Sequence, residues 1–397
     1  MTDLITVVGG GVTGLVASIA CAEGGAPVRL LEAHETLGGR GRSTDVPFVA
    51  NFGPHVLYAN GELWRFMRER DLLPPMARPP LGPVRFRAGG RLRRVPPTAT
   101  LRTVARLWRV AEAPDDVSFR AWVAERCGAD GAELLSRACG VFAFHHDPGE
   151  LAADFVWARF RQAFLALPPQ ARYARGGWGA LIAKLEEAAR ARGVQIETRA
   201  RVSELPQRPA IVATELGDAR TLLGDDAIAW PSGRTVALDL GLRARRGGVG
   251  GDPFVVWDLD EAGWIETYSK PDATLAPAGH SLVQAQMPLR PGESTDDGEG
   301  RLEALLDRGL RDWRERVAFR RRLLLDGRSG ALDLPGTSWR DRPAIDRGDG
   351  IFLAGDSVAA PGLLSDPGVT SALQAARAAL AWSAGQAAGL EPATSRL

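Results

Sequence analysis

The sequence predicts an α/β fold of two lobes: a parallel-sheet lobe of Rossmann type, and a discontinuous α+β lobe made of a helical cap and a mixed sheet. Three observations carry that expectation. An apolar strand over residues 4–8 runs into Gly9-x-Gly11-x-x-Gly14 and then a helix. Near the other end, a strand ending in Gly355-Asp356 runs into a long alanine-rich helix. Between them the patterning comes in blocks, helical over about 76–174 and strand-rich from about 234 onward.

Each glycine of the opening motif has its own task. Gly9 permits a tight turn, Gly11 lets backbone approach a pyrophosphate, and Gly14 lets the helix lie close on the strand. The helix start offers unpaired N–H groups and a positive dipole end to phosphate. The next strand, 28–31, ends in Glu32, where a carboxylate would receive ribose hydroxyls. Strand, glycine loop, helix and strand-end acid together raise this motif above a glycine-rich turn that binds nothing.

The sequel Leu37-Gly38-Gly39-Arg40-Gly41-Arg42 resembles the Gly-Gly-Arg signature of the flavin-containing amine oxidase and phytoene desaturase superfamily. The resemblance implies FAD as the cofactor, with Gly39 and Arg40 at its phosphates. Residues 46–58, which include Gly53 and His55, are similar to the family's segment that brings backbone up to the isoalloxazine ring. Asn51 stands where an acid is common. Residues 173–202 follow the family's pattern of two glycines, helix, strand and valine, so Val202 inherits the backbone role at the adenine edge. The closing motif resembles the family's second FAD contact. There Asp356, after Gly355, would accept from a ribityl hydroxyl, and Gly368 and Val369 would aim a helix start at the flavin N1–C2=O edge. The resemblance of these motifs implies lobes grouped as 1–75 with 175–233 and 340–397, and 76–174 with 234–339.

Composition narrows the field. The chain has 397 residues, 45% of them hydrophobic, with 49 basic and 48 acidic side chains. That balance gives no general attraction to nucleic acid. Cys21, Cys127 and Cys139 are scattered without a C-x-x-C spacing, so neither a disulfide framework nor a zinc site is expected, and a cytoplasmic setting fits. His145-His146 lacks an i, i+4 partner, and no metal site is expected. The apolar start carries Asp3 and no basic region, unlike a secretory signal. No apolar run of about 18 residues exists to span a bilayer.

Along the second lobe, strands around Gly89-Gly90 read as a hairpin, and its arginines as a solvated edge. A basic helix over 101–110 has an apolar stripe at Leu101, Val104, Ala105 and Trp108. Such a helix can lie in a bilayer interface, a peripheral membrane contact; packing on the protein's own core is the preferred reading. Asp147-Pro148-Gly149-Glu150 reads as a capping box, 291–300 as a polar loop, and 301–317 as one long helix.

The expected function is FAD-dependent dehydrogenation of a largely apolar small molecule, by hydride transfer to the flavin N5, with an unidentified electron acceptor. No acid–base pair stands out; His55, Lys270 and Asp366 are the named catalytic candidates. Alternatives are a flavin amine oxidase, a flavin-dependent isomerase and a non-catalytic lipid-binding escort. The terminal motif Ser365-Asp366-Pro367 lacks the aromatic residue usual in amine oxidases, which favours the desaturase-like branch.

Overall fold

The computed structural model describes residues 3–245 and 251–389; residues 390–397, assigned above to the first lobe, lie outside it. Five strands form a wholly parallel sheet in the order Ile351–Leu353, Ala210–Val212, Ile5–Val8, Val28–Leu31, Gln195–Glu197. Its central strand is buried along its whole length, as an apolar run covered on both faces should be. Helices Val12–Glu23, Trp178–Ala191 and Asp366–Gly389 share its core through Leu15, Ile19, Leu181, Leu185, Ala372 and Ala376. Ligand crevices of such sheets lie beyond the carboxyl ends of the strands. Gly9, Glu32 and Ala354 occupy those ends here.

The turn after the first strand depends on two glycines. Gly9 has φ +104°, and a Cβ on Gly14 would stand 1.8 Å from the Gly9 carbonyl oxygen. Gly14→Ala is therefore expected to lower stability by about 3 kcal/mol, since backbone cannot yield as a side chain does. Gly217 lies inside a helix with nothing near its Cβ position, so Gly217→Ala should be neutral or stabilising. Urea unfolding midpoints of the two variants check the contrast.

The second sheet is mixed, in the order Val317–Ala331, Ser232–Arg243, His280–Pro288, Trp264–Thr267, Val255–Asp258, Val84–Ala88, Arg91–Arg93. One face packs on the helix Thr295–Gly309 through Leu302, Leu305 and Leu306, with Trp313 beside them. The other face carries a polar row, Asp239, Gln284 and Glu266, matched directly across three strands. A helical cap, Thr98–Leu107, Phe119–Cys127, Ala129–Ala138 and Ala153–Phe160, has an aromatic core of Phe119, Trp122, Trp157 and Phe160.

Four expectations fail locally. The segment 291–300 is no mere loop: Ser294 Oγ accepts the Asp297 N–H at 3.1 Å and starts a helix at Thr295. That helix ends at Gly309 rather than 317, and Val317–Ala331 is a strand, with Arg320 and Arg322 on its outer face and Phe319, Arg321, Leu323 and Leu325 on the other. Asp147 accepts from Gly149 N–H at 3.1 Å but heads only a three-residue 3-10 turn, Pro148–Glu150. In Thr98–Leu107 the buried face is Thr100, Thr103 and Leu107, and Leu101 and Trp108 stay exposed. Among the described residues no helix is long and apolar enough to cross a membrane.

Candidate functional site

The glycine loop, Glu32 and Arg40 converge at the carboxyl edge of the parallel sheet. Glu32 is buried; one carboxylate oxygen accepts the Gly10 N–H at 2.7 Å and the other the His34 N–H at 2.8 Å. A carboxylate has about four acceptor positions, so two remain for ribose hydroxyls. The loop carrying Val202 is tied to the same place, because Ala200 N–H donates to the Glu32 carbonyl at 2.8 Å. A Cβ at Gly11 would meet nothing within 4 Å, which leaves open space where a phosphate would approach backbone.

Arg40 joins the two ends of the chain. Its guanidinium lies 2.8 Å from Asp356 and 3.4 Å from Glu215, and it donates to the Arg328 carbonyl at 2.8 Å. Burial opposes the charge, yet Asp356 and Glu215 together hold its pKa above the ordinary arginine value. Although protein surrounds it, 34% of the side chain remains accessible. Arg40 thus borders an internal space instead of sealing one. Gly355 is fixed by its N–H to Ser371 Oγ at 2.9 Å, and a Cβ at Gly368 would meet Thr13 Oγ1 at 2.7 Å. The closing helix therefore starts directly against the opening one, with Val369 wholly buried.

These features fit FAD: backbone room and a cation for its diphosphate, an acid for its ribose, and a helix start for its ring. Among the described residues no cluster of His, Cys, Asp and Glu is suited to a metal ion.

His55, Lys270 and Asp366 are not brought together. His55 Nε2 lies 2.8 Å from the Arg40 carbonyl, which can only accept, so Nε2 carries the proton. Burial pushes its pKa down to about 4, with the Arg40 charge acting in the same direction. A neutral ring so committed, its centroid 4.6 Å from that of Trp178 and tilted 32° to it, positions the Arg40 loop and is a weak proton acceptor. Lys270 is exposed on the turn after Trp264–Thr267 and makes no ion pair among the described residues. Asp366 is buried; it accepts the Glu62 N–H at 2.8 Å and a longer bond from Gln162 at 3.4 Å. Burial raises its pKa to about 6. It also lines a cavity of about 600 Å³ between the cap and the closing segment.

Sequence reasoning missed the most polar feature of the second lobe. Glu266 is buried and accepts from Trp264 Nε1–H at 3.0 Å and from the Tyr173 hydroxyl. Burial raises its pKa to about 7, against the pull of those two donors. The chain has three tyrosines, and all of them surround this carboxyl. Among the described residues the side-chain oxygens of Gln284 and Gln286 find no partner. Gln284 also donates to Asn51 O at 2.9 Å, and Asn51 Oδ1 accepts from Trp178 N–H at 2.9 Å. A neutral amide therefore serves at the position where the Gly-Gly-Arg resemblance leads one to expect an acid. Beside this polar row, Phe164, Trp257, Trp264 and Phe86 form an aromatic wall from cap to sheet.

Residues 7–70 match the model of an NAD(P)-binding Rossmann-like domain. Solved structures match over nearly the whole chain. An oxidoreductase from Methanosarcina mazei is 15% identical, with TM-score 0.71 and coverage of 94% of this chain and 99% of its own. Cyclohexylamine oxidase from Brevibacterium oxydans is 16% identical, with TM-score 0.69 and coverage of 96% and 99%. Putrescine oxidase bound to putrescine is 14% identical, with TM-score 0.72 and coverage of 98% and 100%. The chain has the fold of these oxidases. The α/β class expected from the sequence, a parallel Rossmann-type sheet with a separate mixed sheet, is the one found. No curated protein sequence matches the chain.

Proposed function

We propose that this protein is an FAD-dependent oxidoreductase that dehydrogenates a small molecule with a largely apolar body. The reading rests on Arg40 held by Asp356 and Glu215 beside an open Gly11. Charge and bare backbone for a diphosphate are there supplied by both ends of the chain. Bound FAD supplies the hydride-accepting nitrogen of its ring. The start of Val12–Glu23 and the Arg40 charge would hold its phosphates, and Glu32 its ribose. The start of Asp366–Gly389 would offer a positive dipole end to the flavin ring. The aromatic wall orients an apolar substrate body and keeps water away from it. No strong base is required if the proton leaves to water; His55 is neutral and committed elsewhere.

A second reading, oxidation of an amine, is favoured by Glu266, a buried carboxyl able to meet an ammonium or amine head group. Cyclohexylamine and putrescine oxidases share the fold. The purified protein should be yellow, with flavin absorbance released on denaturation. Under anaerobic conditions, bleaching by polyenes or cyclic alcohols supports the first reading; bleaching by amines alone replaces it with the second. A colourless protein that takes up no added FAD removes both.

A further inference from the structure

The helix Thr98–Leu107 presents three stripes where an ordinary surface helix has two. Thr100, Thr103 and Leu107 face inward. Leu101, Ala105 and Trp108, at i, i+4 and i+7, form an exposed apolar stripe, with Leu101 52% and Trp108 44% accessible. Arg102, Arg106 and Arg109 form an exposed basic stripe beside it. The preceding segment repeats the chemistry, with Leu92 and Val95 exposed among Arg91, Arg93 and Arg94. No acidic residue occurs between Asp71 and Glu112, although the chain as a whole is nearly neutral. Arg87 is tied to Asp258 and Asp260, whereas among the described residues the six arginines of 91–109 make no ion pair. Trp108 also lines the cavity of about 600 Å³ that Asp366 and Gln162 share.

Core packing explains none of this, because the apolar stripe faces away from the core. From this geometry we infer that residues 91–109 form a docking surface for an anionic lipid bilayer. Leu101, Trp108, Val95 and Leu92 enter the acyl boundary, and the arginines meet lipid phosphates. Charge complementarity selects the occupant. A second copy of this chain would set arginine against arginine, whereas an anionic bilayer offers both an apolar layer and negative headgroups. Trp108 at the cavity rim would place that cavity at the membrane face, a path by which an apolar substrate could enter without crossing water.

The test uses the full chain and vesicles of phosphatidylcholine with or without phosphatidylglycerol, read by co-sedimentation at low and high salt. It needs no turnover and no flavin reduction, so its failure is separate from failure of the catalytic reading. The wild type should bind phosphatidylglycerol vesicles, release at high salt, and ignore pure phosphatidylcholine. At roughly fivefold in affinity per arginine, the triple variant R102Q/R106Q/R109Q should bind on the order of 100-fold more weakly. L101S/W108S should also lose binding while keeping the wild-type thermal midpoint, since both side chains are exposed. Absence of wild-type binding, or binding unchanged in both variants, overturns the assignment. So does a wild-type dimer that L101S/W108S converts to monomer, which would give the surface to a second copy.

Discussion

Arg40→Met is expected to yield a protein that purifies largely colourless and takes up added FAD on the order of 100-fold more weakly than the wild type. Among the described residues the guanidinium is the one cation within ion-pair distance of both Asp356 and Glu215, at 2.8 Å and 3.4 Å. Without it two partly enclosed carboxylates face a diphosphate with only more distant arginines, Arg328 and Arg159, to offset them, so the variant loses an attraction and gains a repulsion. Burial already raises the pKa of Glu215 in the presence of Arg40. Arg40→Lys should recover only part of the affinity, because an ammonium cannot bridge two carboxylates and the Arg328 carbonyl in the same plane. Arg42→Met serves as the control. Arg42 donates to the Gly39 carbonyl at 3.0 Å and lies over the Phe52 ring, contacts local to the loop, so a change of a few fold is expected. Flavin fluorescence quenching on titration of each apoprotein measures the series. Equal affinity in Arg40→Met and the wild type would remove the proposed phosphate site.

The parts of the site legible in the sequence are those where backbone geometry dictates the residue. No side chain fits at Gly14 against the Gly9 carbonyl, and a buried parallel strand must be continuously apolar, so the opening motif declares itself. Glu32, Arg40 and Asp356 were legible through their place in such motifs. Glu215 and Glu266 were not, for a physical reason. Trp264–Thr267 is buried on both faces, so its pattern lacks the alternation that would mark Glu266 as an inward acid. Its partners Tyr173 and Tyr58 come from distant strands, Ala171–Ala174 and Leu57–Tyr58, joined only by tertiary pairing. Val317–Ala331 was hidden because Arg320-Arg321-Arg322 followed by Leu323-Leu324-Leu325 shows no polar–apolar alternation, and pairing with Ser232–Arg243 decides the matter. The helix Thr98–Leu107 shows the opposite limit. Periodicity found an apolar stripe correctly but could not say that threonines, not the stripe, would face the core.

Glu266→Gln should make the protein more stable at alkaline pH and nearly unchanged at acid pH. In the folded chain burial raises this carboxyl to about 7 from an ordinary value of 4.5. Between those values the native state keeps a proton that the unfolded chain releases, so stability is full below about 4.5 and declines as pH rises through about 7. At about 1.4 kcal/mol per pH unit the loss is on the order of 3 kcal/mol. Glutamine has no proton to lose, keeps an acceptor for Trp264 Nε1–H, and can donate to the Tyr173 hydroxyl after that hydroxyl turns. Asp366 and Asp154, both raised to about 6, impose declining slopes of their own, and His55 and His146, lowered to about 4, impose opposite ones. All four are common to both proteins, so the difference between variant and wild type isolates Glu266. Urea unfolding at pH 4 and pH 9 should give curves that nearly coincide at the lower pH and separate at the higher. Parallel dependence on pH in the two proteins would mean that Glu266 ionises as freely as a surface acid. The chemical consequence follows from the same imbalance: an ammonium group brought beside Glu266 would supply the missing counter-charge, and a neutral apolar substrate would not. Glu266→Gln should therefore raise KM for amines, if these are substrates, and leave KM for uncharged ones near its wild-type value.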